Sequence, residues 1–530
     1  MQLPLGRWPN VAVFITFSAL VTAWWVTSAL IWPHPWYASK KDPEVVYYAN
    51  SLLIAEGARA QHTHHPGTLV QLTGVPLIMI SGVTYENAFD GEKITAFTRT
   101  WQVIVLLALL AIGYAIFIRY RHHPNASILA LILLLFGFNV SFFSSVLTFK
   151  PESFYFVVGL PACLAILHYF DKKSVSGYRK VSFRNLAYLC AGMILGALGT
   201  IKYNFLPVIL FSLLIAPFLE RISLRRSILQ LMIGFGSSFL AFFALSALFS
   251  DDVQRQYAWV LLLLLGSGKY GLGESQGGFL SPSELFSQIV KQDAPQFGLT
   301  YIVFIVAIGL GLSLIYQRFT HVNLSGKSPE DSHQSTHVIA LLAGLFMVFA
   351  MYCMHPYALH YILAGSVILI LFSIFFFRNY EGNQKVINVL IGLLLFSTSI
   401  AAFNGLSHHY NEYEQSRAIA SHIDRYVLSN PTGQYILDDT LPHPITGQVI
   451  AAFYASPLRK PFRKKYPKVG IEIAGQNVGF DHYGPGAIVF TKRDKSHDSN
   501  LVLVEQLEPG GLRIYSRKED RQGIKEPQAR

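Results

Sequence analysis

Runs of apolar residues, about eleven of them and each long enough to cross a bilayer, constrain this chain more than any other feature. A hydrocarbon core about 30 Å thick takes roughly 20 apolar residues per helix. Such runs lie near 11–32, 101–118, 126–148, 153–170, 186–201, 203–219, 227–249, 298–317, 335–353, 357–377 and 385–404. The stretch from Asn185 to Leu219 is too long for one helix and is interrupted by Lys202-Tyr203-Asn204, so it divides into two spans joined by a tight turn. The first run, Val11 to Trp32, is longer than a signal-peptide core and lacks a small-residue cleavage site, so it reads as a retained span. The expected fold class is an α-helical polytopic membrane protein, and composition agrees: 52% of the residues are hydrophobic and 14% charged, against about one quarter charged in a soluble protein.

The net charge of +11 does not point to nucleic acid, because the basic residues concentrate in short loops between apolar runs, where the positive-inside rule puts them. With the N-terminus inside, the cytoplasmic loops are Arg119–Pro124, Asp171–Arg184, Glu220–Arg226, Gln317–Thr336 and Arg378–Lys385, nearly all of them basic. The segments 33–100, 149–152, 250–297 and everything after about residue 405 then face outward. Cys163, Cys190 and Cys353 all sit in apolar runs and read as packing residues, not as a disulfide framework.

The outward segments differ in character. In 33–100, the pieces Pro43–Gly57 and Gly67–Val83 look like interfacial helices that do not span. In 250–297, the run Tyr257–Leu265 is too short to cross and is expected to dip into the same interface. After about Asn404 the pattern changes to short alternating runs, Gly433–Asp438, Gly486–Thr491, Leu501–Gln506 and Gly511–Ser516, separated by Gly, Pro and Asp turns. The chain is thus expected to comprise a multi-span domain over 1–404 and a small mixed α/β domain over 405–530, entered through a helix near Glu412–Leu428.

Ionisable residues at the ends of the spans are the candidates for chemistry. Asp42 and Glu44 flank Pro43, which favours extended backbone at Asp42, so both carboxylates can face one site as a general base or as cation ligands. Acidic residues are equally favoured in a first helical turn, where they serve as caps. A further acid lies in the hairpin Thr148-Phe149-Lys150-Pro151-Glu152, between two spans with almost no loop around it. An ionisable group there is costly unless paired or used. Glu152 either forms a local ion pair with Lys150, or holds an acceptor or divalent cation while Lys150 faces a phosphate. Lys202 and Tyr203, then His355, Tyr357, His360 and Tyr361, supply donors at the depth where a lipid-borne phosphate would emerge. Tyrosine at that depth is also an ordinary member of the aromatic belt.

Three other signals carry less. His62, His64 and His65 resemble a metal cluster, but no closing ligand follows at helical spacing, so they read as pocket lining or as solvated residues. Gly266-Ser-Gly268-Lys269-Tyr-Gly271 matches a dinucleotide glycine pattern but opens into Gly273-Glu-Ser-Gln-Gly-Gly and not a helix, so it reads as a loop, with a lid over the site as one use for it. The cluster Arg459-Lys460-Pro-Phe-Arg463-Lys464-Lys465 reads as a solvated face, or as a contact for anionic head groups or an acidic acceptor.

Taken in order, these motifs resemble the GT-C glycosyltransferase superfamily, in the branch of protein O-mannosyltransferases and aminoarabinose transferases that use polyprenyl-phosphate sugars. The likeness lies in Asp42-Pro-Glu44-x-x-Tyr47-Tyr48-Ala49 with Gly57 downstream, in His65-Pro66-Gly67, in Pro151-Glu152 opening a span, in Lys202-Tyr203, and in His355 to Tyr361 at the head of a late span. The resemblance covers essentially the whole multi-span region, and the small C-terminal domain suits the same branch. It implies that Asp42 takes the catalytic acidic position of the first outer loop and Glu152 the second acidic position. Pro43 separates the two acids that commonly stand in the family as an Asp-Glu dipeptide, and His360-Tyr361 stands where many relatives carry a basic residue beside Tyr.

The implied reaction is an inverting transfer of a sugar from a polyprenyl-phosphate carrier to a hydroxyl of a glycan, lipid or protein on the extracytoplasmic side of a bacterial-type plasma membrane. Asp42, with Glu44 and Glu152, would form the catalytic set. Lys150, Lys202, His355, His360 and Tyr361 would bind the donor phosphate, and Tyr47, His64, His65 and Tyr203 would line the pocket. Asp42 and Glu152 are the pair that would share a divalent cation, Mg or Mn, if one takes part; no other cofactor and no nucleic acid is expected. The main rival is a secondary transporter for a polar or lipid-linked solute, though transporters usually show internal repeats and ionisable residues near the midplane.

Overall fold

The computed structural model describes residues 8–31, 44–61, 67–120, 148–175, 181–202, 205–219, 224–250, 413–429, 434–438, 441–473, 476–478, 487–492, 494–495, 501–507 and 511–517, together with positions 254, 367, 371, 407, 410 and 411. Most of the described chain is helical. Three helices are long and apolar enough to cross a membrane, Gly91–Arg119, Pro151–Phe170 and Arg225–Phe249, and four shorter apolar helices accompany them. The runs expected near 126–148, 298–317, 335–353, 357–377 and 385–404, and the loop 250–297, lie almost entirely outside the described residues.

Two compact units divide the chain. The first comprises 1–25, 63–70 and 102–405. It contains most of α1 (Trp8–Ile31), the later part of α4 (Gly91–Tyr120), α5 (Pro151–Phe154), a π-helical turn (Tyr155–Gly159), α6 (Leu160–Val175), α7 (Val181–Gly199), α8 (Leu206–Leu219) and α9 (Leu224–Phe249). The break between α7 and α8 falls at Thr200–Phe205, where the sequence expects the long apolar stretch to divide. Small residues let helix backbones approach closely. On α7, Gly192 and Gly196 meet α9 in this way. A Cβ at Gly196 would lie 2.0 Å from the Ser238 carbonyl oxygen, and one at Gly192 would lie 2.3 Å from that of Gly234. A hydrogen bond from Gln230 Nε2 to Asn185 Oδ1 at 2.7 Å ties the same two helices. Elsewhere in the unit, Phe14 of α1 stacks on Phe117 of α4, ring centroids 5.0 Å apart.

The second unit comprises 26–62, 71–101 and 406–530. The segment expected to lie at a membrane interface and the C-terminal α/β segment therefore form one body. Its helices are α2 (Glu44–Ala55), most of α3 (Thr68–Ile80), the start of α4, a helix over 413–429 (α10), α11 (Pro444–Tyr454) and α12 (Arg459–Lys465). Both α2 and α3 stop at a glycine in the left-handed region, Gly57 at φ 80 and Gly82 at φ 60. The paired bonds Gly57 N to Ile54 O and Ala58 N to Leu53 O, repeated as Gly82 N to Met79 O and Val83 N to Ile78 O, satisfy the final carbonyls as in a Schellman stop. The sequence expectation for α2 is a helix lying in the membrane interface without spanning it; in the structure every residue from Glu44 to Leu53 is buried, and the helix packs against α11. Its buried polar side chains are bonded: Asn50 Nδ2 donates to the Val46 carbonyl and Ser51 Oγ to the Tyr47 carbonyl, which lets the helix be surrounded by protein.

Six strands form the sheet: β1 (Gln434–Asp438), β2 (Val469–Ile473), β3 (Gln476–Val478), β4 (Ala487–Thr491), β5 (Leu501–Leu507) and β6 (Leu512–Arg517), in spatial order β3-β2-β1-β4-β6-β5. β1 runs parallel to both β2 and β4, and the outer pairs are antiparallel. Covered on both faces, central β4 is buried throughout and apolar from Ala487 to Phe490, whereas edge strand β5 mixes buried and open positions. On one face, Ile419, Ile423 and Tyr426 of α10 pack on Tyr435, Leu437, Ile488, Phe490, Leu512 and Ile514. Residues of the other face, Ile436, Ala487, Val489, Leu501 and Tyr515, make a second cluster.

Candidate functional site

The first unit brings two of the sequence-predicted residues together. Lys150 stands in extended backbone just before α5, Pro151 takes the first helical position, and Glu152 falls in the first turn. Proline suits that position because its missing N–H has no partner there in any helix. The Lys150 carbonyl accepts from the Ser153 amide at 3.1 Å and from Ser153 Oγ at 2.6 Å, which fixes the turn carrying Glu152. Fifty residues later, α7 ends and the chain turns through Thr200, Ile201 and Lys202 into α8. Lys202 Nζ donates to Glu152 Oε1 at 2.8 Å, and the two side chains are only 6% and 3% exposed.

Aromatic packing holds this pair in register. The Phe205 amide donates to the Lys202 carbonyl at 2.9 Å. The Phe205 ring stacks on Tyr155, centroids 5.2 Å apart and planes 17° apart. It also presses on Gly159, where a Cβ would come within 2.5 Å of the ring. Tyr155 and Gly159 bound the π-helical turn, a widening that recurs at functional positions in helices. The added residue in that turn swells the helix where Phe205 seats, one turn beyond Glu152. Burying two opposite charges is unfavourable unless their geometry is good, and removing either leaves the other uncompensated. A site that keeps such a pair at the ends of two helices has a carboxylate and an ammonium oriented before any ligand arrives.

The remaining predicted residues fall elsewhere. Glu44 opens α2 and is buried, in the first-turn position where a carboxylate complements the helix dipole. Tyr47 is buried on the same helix, and both belong to the second unit. Beside Tyr47, Tyr48 donates its hydroxyl to the Ala88 carbonyl at 2.8 Å and packs edge-on against Phe97. Burial, with Asp90 adding to it, pushes the Tyr48 hydroxyl well above the usual tyrosine range. Asp42, His64, His65, Tyr203, His355, His360 and Tyr361 lie outside the described residues, as do His62 and Tyr357. Among the described residues there is no group of three or more His, Cys, Asp or Glu side chains placed to hold a metal ion.

Phe205 and Tyr155, which clamp the pair, are not among the sequence-predicted residues. Both sit in apolar runs where an aromatic carries no signal of its own. Gln61 is a third such residue: it joins the second unit's N-terminal and C-terminal portions through Ser456. Compared with known proteins, the chain matches no protein-family profile, no curated protein and no solved structure.

Proposed function

We propose that the protein is an integral-membrane glycosyltransferase that moves a sugar from a polyprenyl-phosphate carrier to an acceptor hydroxyl on the extracytoplasmic side, with inversion. The observation that carries this reading is the buried Glu152–Lys202 pair, an ammonium and a carboxylate held 2.8 Å apart at the ends of two helices; on the proposed reading a lipid headgroup would be met at that end of the bundle. The order of the motifs around Asp42, Glu152 and Lys202 supports it from the sequence side.

In the proposed reaction, the acceptor hydroxyl oxygen attacks the anomeric carbon from the face opposite the phosphate. As the new C–O bond forms, the bond from C1 to the phosphate oxygen breaks, and the polyprenyl phosphate leaves as an anion. The hydroxyl proton passes to the Asp42 carboxylate. Lys202, oriented by Glu152, stabilises the charge growing on the leaving phosphate, with Lys150 and His360 as further donors. Holding donor and acceptor side by side supplies most of the remaining acceleration. Lys202 Nζ hydrogen-bonds Glu152 Oε1, so Glu152 acts in this proposal by orienting Lys202.

The test is turnover of purified protein with a panel of polyprenyl-phosphate sugars, reading free polyprenyl phosphate. Release with at least one donor, reduced roughly 10²-fold or more in Lys202→Met, supports the proposal. No release with any donor, together with solute flux in reconstituted vesicles, supports a transporter instead.

A further inference from the structure

We infer that the short basic helix α12 docks on anionic lipid headgroups. Five of its seven residues are cationic: Arg459, Lys460, Arg463, Lys464 and Lys465. Its one buried side chain, Phe462, meets Phe89 edge-on with ring centroids 5.6 Å apart. Lys465 Nζ donates to the Phe89 carbonyl, and Arg459 donates to the Phe453 carbonyl at 3.4 Å. These contacts fix one side of the helix and leave Lys460, Arg463 and Lys464 exposed on the other. Among the described residues, none of those three has a carboxylate partner. Clustered cations repel one another, so a surface that fixes them in place without counter-charges is suited to a polyanionic partner.

The neighbouring turn indicates which polyanion. Phe89 belongs to the connection between α3 and α4, whose first end follows Met79 and Ile80. Those two side chains are 72% and 71% exposed, the most open consecutive apolar pair described in this unit. The connection is internally fixed. Asn87 Nδ2 donates to the Gly82 carbonyl at 3.0 Å, the Thr84 amide donates to Asn87 Oδ1 at 2.7 Å, and Tyr48 holds the Ala88 carbonyl. A basic helix and an exposed apolar pair are thus anchored to the two ends of one rigid turn. Cations that meet phosphates beside apolar side chains that enter the acyl boundary are what an interfacial contact requires. An acidic polypeptide would match the charge alone and leave Met79 and Ile80 in water. Helices able to span a bilayer belong to the same chain, so the lipid surface is a partner at high local concentration. This inference does not depend on glycosyl transfer.

Hydrogen–deuterium exchange of the full chain in nanodiscs tests it, comparing phosphatidylcholine alone with phosphatidylcholine plus phosphatidylglycerol. Exchange over 459–468 and 79–90 is expected to slow by about tenfold in the anionic discs, and the difference should shrink in roughly 1 M salt. The triple variant Lys460→Glu, Arg463→Glu, Lys464→Glu should lose the effect. The wild-type comparison needs no variant, so misfolding cannot mask the result. Equal exchange in the two disc types overturns the inference, as does slowing that appears only when polyglutamate is added.

Discussion

Gln61 and Ser456 exchange two hydrogen bonds across 395 positions of chain: Gln61 Nε2 donates to Ser456 Oγ at 2.9 Å, and the Ser456 amide donates to Gln61 Oε1 at 2.7 Å. The Gln61 amide in turn donates to Asn50 Oδ1 of α2 at 2.7 Å. The segment after α2 is therefore latched to the end of α11. Gln61→Ala is expected to lower the stability of this body by about 1 kcal/mol, because it removes both bonds at an exposed site. Ser456→Ala, which keeps the amide bond, should cost about half as much. Chemical unfolding of the two single variants and the double variant checks this, with the double below the sum.

Glu152→Gln leaves the Lys202 ammonium buried without its counter-charge, and the expected loss is about 3–5 kcal/mol. Lys202→Met alone strands the carboxylate at a similar cost. The double variant, Glu152→Gln with Lys202→Met, should recover a large part of the stability while remaining inactive. Thermal unfolding in detergent, read beside carrier release, separates the structural contribution from the chemical one.

Alkaline pH should loosen the second unit through Tyr48. Its hydroxyl is raised above the ordinary value of about 10 chiefly by burial and then by Asp90. Below about pH 10 the tyrosine is neutral both folded and unfolded; above it, only the unfolded chain gives up the proton. Stability should therefore be full below pH 10 and fall as pH rises beyond it. Tyr48→Phe should lower stability at neutral pH by about 1 kcal/mol through the lost bond to Ala88, and flatten the alkaline decline. Unfolding midpoints from pH 8 to 11 provide the measurement.

Glycines on neighbouring helices should respond in opposite directions. Gly196→Ala drives a methyl into the backbone of α9 and should destabilise by about 1–3 kcal/mol. On α9 itself, a Cβ at Gly236 meets nothing within 4 Å, so Gly236→Ala should be neutral or stabilise by up to about 1 kcal/mol from helix propensity. Comparing the two unfolding temperatures isolates packing from propensity.

Four strands were legible in the sequence almost to the residue, because turn residues bracket short apolar runs: Gly433–Asp438 against Gln434–Asp438, and Gly511–Ser516 against Leu512–Arg517, are typical. β2 and β3 are short, and β2 carries a glycine at its second position, which leaves little periodicity to read. α11 has Gly447 and the β-branched Ile445, Thr446, Val449 and Ile450, so its intrinsic helix preference is low and burial against α2 sustains it. Lys202 stands out in the sequence as a break in an apolar stretch, and Glu152 as an acid beside a span. Their pairing over fifty residues has no local signature, since it depends on how α5 and α7 pack.

Carrier release from a polyprenyl-phosphate sugar, compared between wild type and Asp42→Asn with both shown to be folded, decides whether Asp42 is the base. Steady release is expected from the wild type and a fall of roughly 10²-fold or more in the variant, whose amide cannot take the acceptor proton. Equal rates in the two proteins would contradict it.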